Sequence, residues 1–501
     1  MNIPDNKTLK NQIIKDTAKY NIAHYASQFL GIFTSVAMRR LLGPYYIGIW
    51  NILQLVMSYF TYLSLGVDTA AQYKIPFFRG KKDKKAETEI TNCVFSFLLV
   101  ASVLSSIIVL IATFILRDKY PTEIIVGLIA ISFCIILQRL YTYYLVVLRA
   151  NNDFSTISKS VLFDAVINLI LILLLVNNFK IYGLYIAVAL MPLINTLFID
   201  RLAKYKIKLV FNPKQTLNLI VYSFPFLTIG VLNIVLRSID RLIIAKMLGI
   251  TAVGYYSLAL MGKNYVVGLY NNFGIVTIPR ILETYGREGN VESIKKFVTS
   301  TTEAIAYLFP PFLGVMFLIS PILVKWVLPN FVPGILAMQI LLFDVFFQSC
   351  SPQIEPFLIA LNKQKNLVPI IIGTIILSFG INYFFIKIGL GINGVAIGTS
   401  IASFVYFIFT LTYAMRHFAG SKEILKFIGI IIFPLVYAVF LILTCQYFIH
   451  IHNAYLEVSA KIIILVLAYM PLLFYIERKT NVLSLFLGHI KEKLGKFKLR
   501  K

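Results

Sequence analysis

Residues 41–50, LLGPYYIGIW, are echoed at 247–256 by MLGITAVGYY. Leu42, Gly43, Gly48 and Trp50 of the first copy fall on Leu248, Gly249, Gly254 and Tyr256 of the second, an offset of 206 residues, and Arg40 falls on Lys246. A second pair lies near the far end of each half, where IYGLYIA at 181–187 resembles INGVAIG at 392–398 at an offset of 211. Two matches at nearly one offset predict that the chain contains a duplication.

What is duplicated follows from composition. Of 501 residues, 58% are hydrophobic and 14% charged, against roughly 45–50% and 25% in soluble proteins. A bilayer core of ~30 Å takes about 20 apolar residues per helix. On that measure about fourteen segments qualify, at 21–42, 46–72, 90–116, 123–148, 156–176, 183–202, 217–249, 252–279, 297–319, 334–360, 367–388, 394–415, 427–449 and 458–476. The seventh is overlong and holds Pro225, so a kink or break is expected there. Six segments separate the repeat copies, and an even number restores orientation, so the repeats are parallel and related by an axis along the membrane normal. The expected fold is an all-α integral membrane protein of about fourteen transmembrane helices. A cytoplasmic segment at 1–20 is followed by a six-helix lobe at 21–215, a second at 216–426, two further helices at 427–476 and a tail at 477–501.

The net charge of +25 could serve nucleic acid or anionic lipid. Its distribution favours lipid. Thirty-four of the 47 Lys and Arg residues lie in the termini and alternate loops, only Arg117, Lys119, Lys180, Lys325, Lys387 and Lys461 lie in the opposite loops, and seven fall within spans or at their ends. Basic loops stay cytoplasmic, so both termini are expected inside, with the charge as a collar against anionic headgroups. In the tail, Phe486, Ile490, Leu494 and Phe497 share one helical face opposite lysines, as in a helix lying in the interface. The first twenty residues lack the apolar stretch of a signal peptide. Cys93, Cys134, Cys350 and Cys445 stand singly in apolar runs and read as packing residues.

The seven basic residues within spans are Arg39, Arg40, Arg139, Arg237, Arg241, Lys246 and Lys263. A charge at the centre of a span costs roughly 2.5–3.5 kcal/mol on insertion scales, so such residues face protein or a wet cavity. Their acidic counterparts are Asp164, Asp240, Glu303 and Asp344, with Asp68 and Glu355 nearer span ends. The excess of cations suits a cavity that holds an anion. Arg237, Asp240 and Arg241 are spaced i, i+3, i+4 and would share one face of a continuous helix, with Asp240 aiming Arg237; the same spacing also fits an ion pair that merely ties the helix together. Lys263, Arg40, Lys246 and Arg139 are secondary candidates. Tyr59, Phe60 and Tyr62, and Tyr141, Tyr143 and Tyr144, could stack on sugars or serve packing. His24 reads as a packed histidine, and the pair His450 and His452 is too small for a metal site. GxxxxGK[ST], GxSxG and HExxH motifs are absent from the sequence, which leaves ATP-driven transport and hydrolysis without support.

The exit of the first span, RRLLGPYYIGIW at 39–50, the passage SFPFLTIGVLNIVLRSIDRLIIAKMLG at 223–249 followed by AVGYYSLAL, and the linker LRANNDF at 148–154 resemble the Wzx-type oligosaccharide flippases, polysaccharide transporters of the multidrug/oligosaccharidyl-lipid/polysaccharide exporter superfamily. The resemblance implies a V-shaped pair of six-helix lobes with two extra spans in a bacterial inner membrane. It also implies translocation of a polyprenyl-pyrophosphate-linked oligosaccharide to the outer leaflet, with cationic residues of a central cavity holding the pyrophosphate. Within the superfamily the alternatives are a lipid II flippase and a cation-coupled multidrug exporter. A membrane-embedded polymerase or acyltransferase would need longer external loops. No cofactor is expected; the drive would be an H⁺ or Na⁺ gradient. Expected partners are the lipid-linked oligosaccharide, anionic membrane lipids, and a polysaccharide polymerase and glycosyltransferases, and not nucleic acid.

Overall fold

The structure, a computed structural model, describes residues 6–81, 83–151, 153–202, 208–351 and 354–480; the amphipathic stretch expected at 486–497 and the first five residues lie outside these. Among the described residues every regular element is helical. The chain forms two compact units, divided between Gly254 and Tyr255. This is a division by contact, whereas the expected boundary at 215/216 is a division by repeat.

The first unit contains α1 (Asn6–Thr61), a 3-10 turn (Tyr62–Ser64), α2 (Val67–Gly80), α3 (Lys84–Leu116), α4 (Thr122–Ala150) and α5 (Phe154–Leu171), which runs through a π turn (Ile172–Val176) into α6 (Asn177–Leu202). It continues with α7 (Pro213–Leu236), α8 (Ile239–Met247) and the start of α9 (Ile250–Glu288). Helices leaving the basic loops are capped by side chains that satisfy otherwise unpaired amides. Asp83 accepts from Ala86 N, Asp153 from Thr156 N, and Asn212 from Gln215 N, with Pro213 at the first turn of α7. Its core gathers Val67, Ala71 and Ile75 of α2, Val94 and Leu98 of α3, Tyr143 and Val147 of α4, and Leu219 of α7.

The second unit holds α10 (Val291–Val327), α11 (Ile335–Cys350), α12 (Ile354–Ala360), α13 (Leu367–Lys387), α14 (Gly391–Met415), α15 (Ser421–Phe448) and α16 (Ala454–Thr480). Leu318 of α10, Ile442 of α15 and Leu465 of α16 pack as one cluster, and Gly314 keeps α10 close enough to touch Leu465 and Ile442.

Nine helical stretches among the described residues are long and apolar enough to cross a membrane, ten if a bent pair is one span. The chain is thus a multi-pass membrane protein, with fewer qualifying stretches than the fourteen expected. Part of the difference lies in chain reversals that leave no gap in the helical run. The 49 residues Phe154–Leu202 count once, yet Lys180 is non-helical (φ 52°, ψ −128°), and Asn195 of α6 returns to hydrogen-bond Asp164 of α5. Helix α1, at 56 residues, is not among the nine, and is kinked at Gly43 (φ 74°, ψ 176°). In α7, Pro213–Phe224 and Leu227–Leu236 meet at 51°, the bend expected at Pro225.

Candidate functional site

Two helix interruptions in the first unit carry Arg139 with Asp68 and Arg237 with Asp240 and Arg241. The first separates α1 from α2. Leu65 (φ 50°) and Gly66 (φ 74°) both take the left-handed conformation, which glycine adopts freely and leucine only at a cost of roughly 1–2 kcal/mol. Arg139 of α4 holds this break. Its Nη2 donates to Thr61 O at 2.8 Å, and its Nη1 lies 3.8 Å from Asp68 Oδ2. Ser64 donates to the other oxygen of Asp68 at 3.2 Å. The guanidinium is 9% exposed, so Arg139 completes a freed carbonyl and neutralises a carboxylate inside the protein.

The second interruption separates α7 from α8. Arg237 caps α7 and Ser238 (φ −124°, ψ −12°) bridges the gap to Ile239. The continuous helical face expected for Arg237, Asp240 and Arg241 is therefore broken between the first residue and the other two. A different arrangement replaces it. Arg241 Nη2 donates to the carbonyl of Arg237 at 3.0 Å, its Nε lies 3.9 Å from Asp240 Oδ1, and that oxygen also accepts from Arg241 N at 2.7 Å. Asp240 is buried and Arg241 half-buried, while the Arg237 side chain is exposed.

The two breaks are tied together. The hydroxyls of Tyr59 in α1 and Ser238 hydrogen-bond at 2.5 Å. The Tyr62 ring lies over Gly230 of α7, where a Cβ would come within 2.6 Å of it. The exposed Arg237 thus stands at one of two helix breaks that Tyr59 and Tyr62 join within one unit. Discontinuous helices of this kind form the binding sites of many transporters, because their freed backbone groups and end charges are available to ligands.

The other candidates lie elsewhere. Arg40 and Lys246 are exposed, just before the turns at Gly43 and Gly249. Lys263 belongs to the second unit, where its ammonium pairs with the fully buried Asp344 of α11. Asp344 also accepts from Gln348 at 2.9 and 3.1 Å and from Ser403 of α14. Glu303 pairs with Lys479, at the end of α16, and Glu355 accepts from Tyr406 at 3.1 Å. Tyr141, Tyr143 and Tyr144 are engaged in packing, bonded to Ser160, Thr91 O and Asp200. His24 stacks on Tyr20 and contacts Gln28. The four cysteines are buried. Sequence reasoning missed Ser238 and the partners Gln348 and Ser403; the pair Leu65-Gly66 was the available signal for the first break.

Solved structures with this fold include an inward-facing multidrug resistance MATE family transporter of the MOP superfamily, 18% identical over 81% of this chain and 95% of that one, with a TM-score of 0.59. The lipid II flippase MurJ, inward closed, is 15% identical over 92% of this chain and 99% of its own, with a TM-score of 0.66. A MOP superfamily transporter from Pyrococcus furiosus is 16% identical over 80% and 95%, with a TM-score of 0.61. At these identities the likeness concerns the fold. No curated protein matches the chain. The model of the family described as polysaccharide biosynthesis proteins matches residues 37–330, more than half of the chain, and the chain belongs to that family.

Proposed function

We propose that this protein is a flippase that carries a polyprenyl-pyrophosphate-linked oligosaccharide from the cytoplasmic to the outer leaflet for surface polysaccharide assembly. The observation that carries the proposal is the exposed Arg237 at the α7–α8 break, which the Tyr59–Ser238 hydrogen bond ties to the break after α1. A planar guanidinium can hold phosphate oxygens bidentately, and a tyrosine ring offers a face to sugars. Family membership supplies the polysaccharide context. Exposure of the site alternately to the two sides, driven by an H⁺ or Na⁺ gradient, would move the headgroup while the lipid tail stays in hydrocarbon. Both termini would be cytoplasmic, since the basic loops resist translocation. A cysteine placed at Lys119 or Lys180 should then react with an impermeant maleimide from outside, and one at Lys85 or Lys214 should not.

The decisive experiment is reconstitution. In proteoliposomes, a fluorescent polyprenyl-pyrophosphate oligosaccharide should become accessible to an external glycosidase with the wild-type protein and not with Arg237→Ala at equal reconstitution. Flipping of lipid II at the same rate by the wild-type protein would replace the proposed cargo with the peptidoglycan precursor. Absence of flipping for both lipids would remove the proposal.

A further inference from the structure

The segment between α6 and α7 carries a second feature, independent of which cargo the protein moves. Residues 208–212 run without helical bonds along α3 and are fastened by its side chains. Lys208 N donates to Asn92 Oδ1 at 3.0 Å, Val210 N to Ser96 Oγ at 2.8 Å, and Asn212 Nδ2 to Glu89 Oε1 at 2.9 Å. Backbone amides near hydrocarbon must find such partners inside the protein. The strap and the first turns of α7 stand off from α3 and enclose a groove of about 340 Å³ lined by Cys93, Phe97, Val100, Phe211, Leu217 and Ile220. Phe211, Leu217 and Val100 are 68%, 60% and 41% exposed, so the groove opens outward to the surrounding lipid.

We propose that this groove is a binding site for an anionic glycerophospholipid, with an acyl chain along α3 and the phosphate at Lys208 and Lys214. Inside a bilayer an apolar groove gains little by preferring one hydrocarbon chain over another, because lipid tails are as apolar as the side chains. Selectivity must come from the headgroup. Lys208 and Lys214 bracket the strap, both exposed, and neither has an ion-pair partner among the described residues. Glu89 of α3 accepts from Asn212 and forms no ion pair with either lysine among the described residues. Each lysine at the headgroup level gives an anionic lipid close to a fivefold advantage, roughly thirtyfold for two.

The site is tested with the full-length protein in mixed micelles, using Val100→Trp as a reporter in a Trp326→Phe background, the buried Trp50 adding a constant signal that is subtracted with the Trp326→Phe protein alone, and chain-brominated lipids as quenchers. Leu217→Trp serves as an alternative reporter where the first variant folds poorly. Brominated phosphatidylglycerol should quench at about one-thirtieth the mole fraction needed for brominated phosphatidylcholine. Lys208→Gln/Lys214→Gln should bring the two within about twofold while leaving the melting temperature unchanged. Equal quenching by both lipids in the wild-type background, or a preference that survives the double substitution, would overturn the proposal. Relief of quenching by unbrominated polyprenyl phosphate at a lower mole fraction than by phosphatidylglycerol would also overturn it, assigning the groove to an isoprenoid tail instead.

Discussion

Gly48 and Gly254 make reciprocal contacts. A Cβ on Gly48 would overlap the carbonyl of Ile250, and a Cβ on Gly254 would overlap the carbonyl of Pro44. Pro44 and Ile250 stand to each other as Gly48 stands to Gly254, at the offset of 206 that relates the repeats. Reciprocity, in which residue i meets j and j's counterpart meets i's, is the mark of a two-fold relation. The turns before the contact match as well, with Gly43 at φ 74° and Gly249 at φ 89°. The duplicated motif is thus its own partner, and its glycines permit two helices to meet backbone to backbone.

It follows that Gly48→Ala and Gly254→Ala should have similar effects, since each drives a methyl into a backbone carbonyl that cannot rotate away. Each should lower the melting temperature in detergent by several degrees, and Gly48→Leu should lower it further.

The buried Arg139 should matter for folding more than for cargo. Removing one member of a buried pair strands the other, at about 3–5 kcal/mol, and here Thr61 O loses its donor as well. Arg139→Ala should therefore reduce abundance and thermal stability sharply. Arg237→Ala, at an exposed position, should leave both near wild type while export fails. If Arg139→Ala is as abundant as wild type yet inactive, the residue acts on cargo and its bond to Thr61 O is incidental.

The repeat and the apolar spans were legible because they depend on local spacing: glycines before span starts and about twenty apolar residues in a row. The break between Arg237 and Ser238 was hidden because LRSID contains neither Gly nor Pro; a tertiary hydrogen bond from Tyr59 to Ser238 accompanies it. Pairing was hidden for the same reason. Asp344 lies 81 positions from Lys263 and 59 from Ser403, and nothing in the spacing of α11 reveals which helix faces it. The kink at Gly43 and the turn at Lys180 show the converse, with breaks that the hydropathy pattern marks even though the helical hydrogen bonding runs almost without interruption.

Lys263 and Asp344 should behave as a coupled unit. Asp344 is wholly buried and has three donors, so Asp344→Ala leaves an ammonium and two further donors unpaired, and Lys263→Met leaves a buried carboxylate without its cation. Each single substitution should destabilise more than Lys263→Met/Asp344→Asn, in which both charges go and Gln348 and Ser403 keep a polar partner. Melting curves of the three variants decide this. Additive losses would mean that the two residues contribute independently.

Arg241 offers the sharpest test of the site. Its guanidinium is 19% exposed, and it reaches back to hold the carbonyl of Arg237 at 3.0 Å, the residue where α7 ends. It therefore fixes the direction in which the exposed Arg237 leaves the break, while Asp240 keeps its own charge balanced at 3.9 Å. Arg241→Ala should abolish surface glycan export, with a smaller loss of abundance than Arg139→Ala, because Asp240 keeps the bond from the backbone amide of residue 241. Arg241→Lys should restore export only in part, since an ammonium can reach the carbonyl or the carboxylate but lacks the planar fork that spans both. Arg237→Lys should likewise be partly active, by keeping charge without bidentate geometry. Normal export by both alanine variants at equal abundance would make the α7–α8 break a structural feature and require the anion to bind elsewhere.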